Sequence, residues 1–433
     1  MYRIKNMKNI VRIYALSFLL VSVLTANAQS NKPVKVQVVK NLEGYKLLRD
    51  GKPYFVKGAG GTNRMEVLVE SGGNSIRTWG TNNAIGILDK AHSLGLTVTM
   101  GLDVARERHG FNYDDTATVR KQLDKLTKEV LAYKDHPALL MWGIGNELNL
   151  SAKNPKVWDA VNDISRMIHR LDPNHPTTTM LAGVNKTAIA EIKVRTTDID
   201  VLSVQTYGSL PSVPAQIKAN NWTKAYLVTE WGPTGHWETT VLPWKAAIEE
   251  TSSQKAAVYK SRYESSIGKD KNCLGSYVFL WGQKQERTPT WYGLFTEAGE
   301  GSEVLDVMQY LWSGKWPQNR APHIESLTLD GKQLPEAIYL SKNQDYKVAA
   351  TVTDPNKDKL TYRWELLPEA TQLGEGGDRE ERPKPITGLI SESTPGNVLL
   401  KSPEKPGGYR LFVYASDGKN KVATGNIPFY VNE

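Results

Sequence analysis

The stretch Ala138-Leu139-Leu140-Met141-Trp142-Gly143-Ile144-Gly145-Asn146-Glu147 is an apolar run that stops at a Gly-x-Gly-Asn-Glu turn. A short apolar run ending in glycines reads as a parallel strand buried on both faces, with a carboxylate at its C-terminal tip. Eighty-three residues further on the pattern returns in Ala225-Tyr226-Leu227-Val228-Thr229-Glu230. Two carboxylates at the tips of two buried strands are what acid-catalysed cleavage of a glycosidic bond requires.

Outward from these strands, the chain between Tyr54 and Trp312 alternates buried strands with amphipathic helices. The strand candidates are Tyr54–Gly58, Ser75–Trp79, Thr97–Leu102, Leu139–Ile144, Thr178–Ala182, Val201–Thr206, Tyr226–Thr229 and Ser276–Trp281; Val119–Tyr133 and Trp158–Leu171 are among the helices between them. Strict β-α alternation implies parallel strands with right-handed crossovers, and eight such units match a closed (β/α)8 TIM barrel. A doubly wound open sheet ranks lower, because no glycine-rich dinucleotide fingerprint follows the first strand. Glu147 then closes the fourth strand and Glu230 the seventh. Three units of about 30 residues predict a gap near 90, close to the one observed.

The flanks read differently. Tyr45 to Tyr54 forms a hairpin with an Asp50-Gly51 turn, expected to cover the barrel floor. Trp316-Pro317-Gln318-Asn319-Arg320-Ala321-Pro322 is a linker by composition. Beyond it, short alternating runs at Tyr346–Val352, Leu360–Leu366, Val398–Lys401, Tyr409–Ala415 and Asn426–Val431 predict an immunoglobulin-like β-sandwich. The expected domains are 29–320, hairpin plus catalytic barrel, and 321–433, sandwich. Thr371–Pro385, charged and glycine-rich, is expected to be a mobile loop. Every candidate catalytic residue precedes Trp312, so the sandwich is expected to be dispensable for chemistry.

Residues 1–28 have the pattern of a signal peptide. Arg3, Lys5, Lys8 and Arg12 precede an apolar run from Ile13 to Leu24, and Ala26-Asn27-Ala28 fits the cleavage rule. The run is short for a membrane span and no second one follows, so export to the periplasm or the extracellular space is expected, without stable membrane insertion. The net charge is +8, and four of those charges lie in the leader, leaving +4 on the rest. That is too small and scattered to suggest a nucleic-acid partner. Cys273 is the only cysteine, which excludes an intrachain disulfide.

The chemistry is assigned to six residues. Glu147 is the acid/base and Glu230 the nucleophile of a double displacement that retains anomeric configuration. Asn146, beside the acid, is placed to hydrogen-bond a sugar hydroxyl. Arg77, inside the second strand, needs a buried carboxylate partner; Glu230 is the obvious one and would be kept ionised by it. Tyr207, ending the sixth strand, is in reach of the nucleophile, and Trp281, ending the eighth, offers an indole face to floor the sugar. Trp79, Trp231, Trp237, Trp291 and Tyr292 are further aromatic candidates. No His-Glu-x-x-His spacing occurs, and Asp354, Asn356 and Asp358 lack the glycine and distal glutamate of a calcium loop, so neither metal nor cofactor is expected.

These motifs resemble a known family. Asp135-His136-Pro137 through Gly145-Asn146-Glu147 resembles the acid/base signature of family 2 glycoside hydrolases, Gly73-Asn74-Ser75-Ile76-Arg77-Thr78 their second strand, and Thr229-Glu230-Trp231-Gly232 their nucleophile strand. Two departures stand out: the extra domain follows the barrel, and Gln205 replaces the asparagine often found two residues before the sixth-strand tyrosine. A barrel followed by an immunoglobulin-like domain is more similar to glycoside hydrolase family 158. That resemblance implies endo-β-1,3-glucanase activity on laminarin-type glucan, with the two glutamates as catalytic pair. The alternatives are an exo-acting, family 2-like β-galactosidase, β-mannosidase or β-glucuronidase, and an inactive glycan-binding protein. In each case the expected partner is a polysaccharide or oligosaccharide.

Overall fold

In the computed structural model, which describes residues 32–433, eight parallel strands close into a barrel and each is followed by a helix. A three-stranded antiparallel sheet comes first: β1 (Val36–Asn41), β2 (Gly44–Arg49) and β3 (Lys52–Tyr54). The barrel strands are β4 (Val56–Gly60), β5 (Ser75–Arg77), β6 (Thr97–Leu102), β7 (Leu139–Asn146), β8 (Thr177–Ala182), β9 (Val201–Gln205), β10 (Tyr226–Trp231) and β11 (Cys273–Val278). Between and after them lie α1 (Met65–Glu70), α2 (Ala84–Ser93), α3 (Thr116–Tyr133), α4 (Lys156–Leu171), α5 (Lys186–Arg195), α6 (Val213–Ala219), α7 (Ser252–Arg262) and α8 (Glu303–Ser313). Neighbours in the barrel are neighbours in sequence, and β11 closes it on β4. The signal peptide expected at 1–28 lies outside the described residues. Among the described residues no helix is long and apolar enough to cross a membrane.

Strand alternation sorts the side chains into two populations. Ile76 on β5 and Val98, Met100 and Leu102 on β6 face outward and pack with helix residues such as Leu68, Leu88, Leu126, Val130 and Ile164. Ser75 and Thr99 face inward, where both hydroxyls meet the buried Tyr277 hydroxyl, at 2.8 and 2.6 Å. The interior is therefore filled in layers, as barrels of this size require. Its floor is the hairpin: Leu47 and Val36 pack with Leu140, Met141, Leu227, Leu274 and Tyr277. The Asp50-Gly51 turn has φ of 52° and 71°, the left-handed pair that a two-residue hairpin demands. β1, which pairs β2 along its length, was not expected from the sequence.

The C-terminal region folds as two four-stranded sheets. One is ordered β12 (His323–Leu329), β14 (Asp345–Thr353), β17 (Asn397–Lys401), β16 (Ile390–Thr394); the other β13 (Tyr339–Leu340), β19 (Val422–Val431), β18 (Gly407–Ser416), β15 (Thr361–Pro368). Leu329, Val348 and Leu400 of the first sheet pack against Leu366, Leu411 and Phe429 of the second, which makes a sandwich. Residues 32–433 form one compact unit. The linker is not free chain: Trp316 stacks on Tyr310 at 4.5 Å, and the Ala321 amide donates to buried Asp306 at 2.6 Å.

Candidate active site

Simple alternation would send Glu230 and Asn146 away from the barrel mouth. On β10, Tyr226 and Val228 face the helices while Leu227 faces the floor, so strict alternation puts Glu230 on the helix side. The register with β9 shifts between Val228 and Glu230, and this irregularity turns Glu230 into the mouth and Trp231 out toward Tyr259 and Tyr263. On β7, Trp142 and Ile144 face outward and a register shift against β8 falls between Gly143 and Asn146. Gly145 there has φ of 74°, and a Cβ on it would lie 2.5 Å from Leu148 Cδ1. Only glycine fits that position, and the turn it allows delivers Asn146 and then Glu147, itself at φ 51°.

The delivered side chains converge on Glu230. Its Oε1 accepts from Arg77 Nη1 at 2.7 Å, Trp79 Nε1 at 2.8 Å and Gln205 Nε2 at 3.2 Å; its Oε2 accepts from the Tyr207 hydroxyl at 3.2 Å. Four donors on two oxygens is the environment of an ionised carboxylate. Arg77, fully buried, also donates to the Thr229 carbonyl at 2.9 Å and to Asn146 Oδ1. Gln205 Nε2 donates to the same Asn146 oxygen at 2.7 Å. With its oxygen doubly occupied, Asn146 has its amide NH2 left for a ligand. Burial and the negative charge of Glu230 keep the Tyr207 phenol well above its ordinary range, so it stays a donor.

Glu147 sits in the opposite electrostatic state. Among the described residues its carboxyl has no hydrogen-bond partner. Burial first, and then the charge of Glu230, push it up to about 8, against the pull of Arg77, Arg108 and Arg106. One carboxyl is thus pushed toward its protonated form and left unencumbered, and the other accepts from four donors. Two carboxyls whose environments separate them in this way are equipped as general acid and nucleophile.

Both glutamates line a cavity of about 820 Å³ at the C-terminal mouth of the barrel. Asn146, Tyr207, Trp79 and Trp237 line it too. Trp281 does not: its indole is fully buried, edge-on to Phe295 and beside Trp312, with Nε1 donating to the Arg64 carbonyl at 3.3 Å. The expected sugar floor at Trp281 is therefore corrected. β11 ends at Val278, and Phe279, two residues earlier than expected, faces the cavity against Trp79 at 5.9 Å. Trp231, Trp291 and Tyr292 are likewise buried, the first against the helices and the other two beneath Tyr207.

The loop expected to be mobile, in the domain expected to be dispensable, reaches the cavity. Gly374 to Asp378 of the sandwich line the cavity, beside Arg108 and Leu150 of the barrel. Arg106, Lys284, Glu286 and Arg287, all from loops after strands, also line it and were not singled out in the sequence, because charge on a loop carries no periodicity to mark it. The carboxylates of Asp354, Asp358 and Asp417 approach one another within the sandwich; they line no part of the cavity.

Residues 75–279, from the second barrel strand to just past the eighth, match the family model "Glycosyl hydrolases family 2, TIM barrel domain". No curated protein sequence matches the chain. Similar solved structures include a family 2 β-galacturonidase from Eisenbergiella tayi bound to galacturonate, at 16% identity and TM-score 0.51, covering 65% of this chain and 54% of that one. Others are a β-glucuronidase from Faecalibacterium prausnitzii (18%, TM-score 0.50, 64% and 52%) and one from Ruminococcus gnavus (15%, TM-score 0.52, 66% and 53%). The chain spans about half the length of these solved chains, and at such identities the likeness is one of fold.

Proposed function

We propose that this chain is a retaining glycoside hydrolase of family 2 type that removes a β-linked sugar from a chain end. The observation that carries the reading is the pair of glutamates in one cavity, Glu147 pushed up to about 8 and Glu230 held by Arg77, Trp79, Gln205 and Tyr207. In the first step Glu147 gives its proton to the glycosidic oxygen while Glu230 attacks the anomeric carbon, and the leaving alcohol departs. Glycosylation removes the charge of Glu230, and with it the Coulomb push on Glu147. Glu147 then becomes acidic enough to stay ionised and take a proton from the incoming water. The Asn146 amide is aimed to bind the sugar hydroxyl next to the reacting carbon.

For the sugar, charge is the guide. The similar solved chains named as β-glucuronidases and a β-galacturonidase act on acidic sugars, whose carboxylate calls for an uncommitted cation. Here Arg108 is paired with Asp378 at 2.8 Å, Lys284 with Glu286 at 2.6 Å and Arg287 with Glu380 at 3.3 Å, while Arg106 donates to the Asn146 carbonyl at 3.1 Å and lies 3.7 Å from Asp103. This favours a neutral hexoside, such as a galactoside or mannoside, over a uronide. The endo-acting β-1,3-glucanase reading needs an open cleft, and the sandwich residues in the cavity wall weigh against it. The export expected from the leader-like residues 1–28 would fit a glycan substrate.

Turnover of a panel of 4-nitrophenyl β-glycosides, with the first-formed anomer followed by proton NMR, tests the reading. Glu230→Gln should abolish turnover, because no glycosyl-enzyme can form. Turnover confined to a β-glucuronide would refute the neutral-sugar assignment, mixed oligosaccharides from laminarin would favour the endo reading, and an inverted first product would refute the mechanism.

A further inference from the structure

One wall of the cavity comes from a part of the chain that carries no catalytic residue. The segment 374–378 belongs to the sandwich, between β15 and β16, yet it is pinned to barrel loops on two sides of the mouth. On one side the loop after β11 holds it: Lys284 Nζ donates to the Gly377 carbonyl at 3.1 Å, Arg287 Nη2 to the Gly374 carbonyl at 3.5 Å, and the Arg287 amide to buried Glu380 at 2.6 Å. On the other, the loops after β6 and β7 hold it. Arg108 Nη1 lies 2.8 Å from Asp378 Oδ2 and 3.3 Å from the Glu375 carbonyl, and Ser151 Oγ donates to Glu375 Oε1 at 3.3 Å. The approach at Gly376 is too close for a side chain: a Cβ there would lie 2.6 Å from Leu150 Cδ2 and 3.0 Å from Arg108 Nη2, and φ is 57°. Leu150 and Arg108 themselves line the cavity with Glu147.

We propose that this segment is a specificity-determining strap. Tied down at both ends, it walls the cavity and admits the end of a glycan while excluding a chain that continues past the reacting sugar. The inference rests on the glycosidase reading above and adds to it that specificity for chain ends is written in the second domain. A polymer held for internal cleavage must leave the site in two directions. A strap fixed to loops after the third, fourth and eighth barrel strands closes one of them. Backbone carbonyls of Gly374, Glu375 and Gly377 accept from the barrel cations, whose charges are balanced by the carboxylates of Asp378, Glu380 and Glu286.

Two variants test this. Asp378→Ala removes the Arg108 pair; Asp378 is 44% exposed but Arg108 only 8%, so the melting temperature of the variant is measured alongside. Gly376→Leu forces the strap off Leu150. Both are compared with wild type on the 4-nitrophenyl β-glycoside that wild type turns over, and on an end-labelled oligosaccharide of the same sugar. Wild type should release monosaccharide only. In the variants KM for the small glycoside should rise about tenfold with a smaller change in kcat, and internally cleaved products should appear. New internal products are a readout that loss of stability alone does not give. Folded variants with wild-type KM and monosaccharide as sole product would overturn the proposal, as would internal cleavage by wild type. Failure of the parent reading shows separately, as unimpaired turnover by Glu230→Gln.

Discussion

The two glutamates differ in what surrounds them, not in what they are. Glu147 has burial and a neighbouring charge; Glu230 has four donors. A carboxyl raised from 4.5 to about 8 holds its proton in the folded chain and releases it in the unfolded one. Folding stability is therefore undiminished below about pH 4.5, falls as pH rises between the two values, and is lowest above about 8. Glu147→Gln abolishes that dependence. The melting temperature of the variant relative to wild type should climb from pH 5 to pH 9, and an equal difference at both would refute the raised acid. Catalysis has the same signature. For substrates with poor leaving groups, kcat/KM should fall above about pH 8, and Glu147→Gln should lose about 10²–10⁴-fold while keeping most activity on activated aryl glycosides. Both residues were legible in the sequence because each ends an apolar run. Arg77 was legible because a cation inside a strand must find an acid. Trp281 was misread because the end of β11 lies at Val278 and no polar residue marks it.

At the scale of elements, the barrel was readable because eight runs of buried residues each carry their own boundary, and because β-α alternation leaves few topologies. What alternation misreads is the last two residues of the strands that matter. Glu230 and Asn146 reach the mouth only through register shifts on β10 and β7. A shift is a relation between two strands and has no period of its own in sequence; its trace is the glycine at 145. Gly145→Ala should therefore be costly. It meets a φ of 74° and a contact of 2.5 Å with Leu148, and relief comes only by moving Asn146 and Glu147. A stability loss of at least about 1–2 kcal/mol by urea denaturation is expected. A drop in kcat well beyond any change in KM should accompany it, because the acid is displaced. Wild-type kcat in a folded Gly145→Ala protein would show that the turn has slack.

For the whole molecule, the sequence suggested a barrel joined by a linker to a separable sandwich, because composition changes there. The two surfaces are in fact keyed together by buried polar groups, whose partners lie far apart in sequence and leave no local pattern. Asn426 Nδ2 donates to buried Glu249 at 2.6 Å, beside the Lys255 ammonium at 2.6 Å, and Arg410 Nη2 donates to the Ala247 carbonyl at 2.8 Å. The amides of Ile324 and Thr424 donate to Ser253 and Ser252 at the start of α7, each at 2.9 Å. Asp306 of α8 is fully buried; its partners are Lys421 and the Ala321 amide. Chain ending at Arg320 would strip Asp306 of both and leave Glu249 with fewer donors. Leaving a buried charge without its partner costs about 3–5 kcal/mol, a large share of the stability of any domain. The full chain should therefore unfold in one calorimetric transition rather than two. The truncated barrel should be insoluble or melt at least about 10 °C lower, given that several kilocalories are lost at once. A truncate that stays soluble still lacks the strap over the cavity, and its KM for a small glycoside should rise as in Asp378→Ala. A soluble barrel with wild-type melting temperature, KM and monosaccharide-only products would show that the sandwich is a passenger, and would take the strap proposal with it.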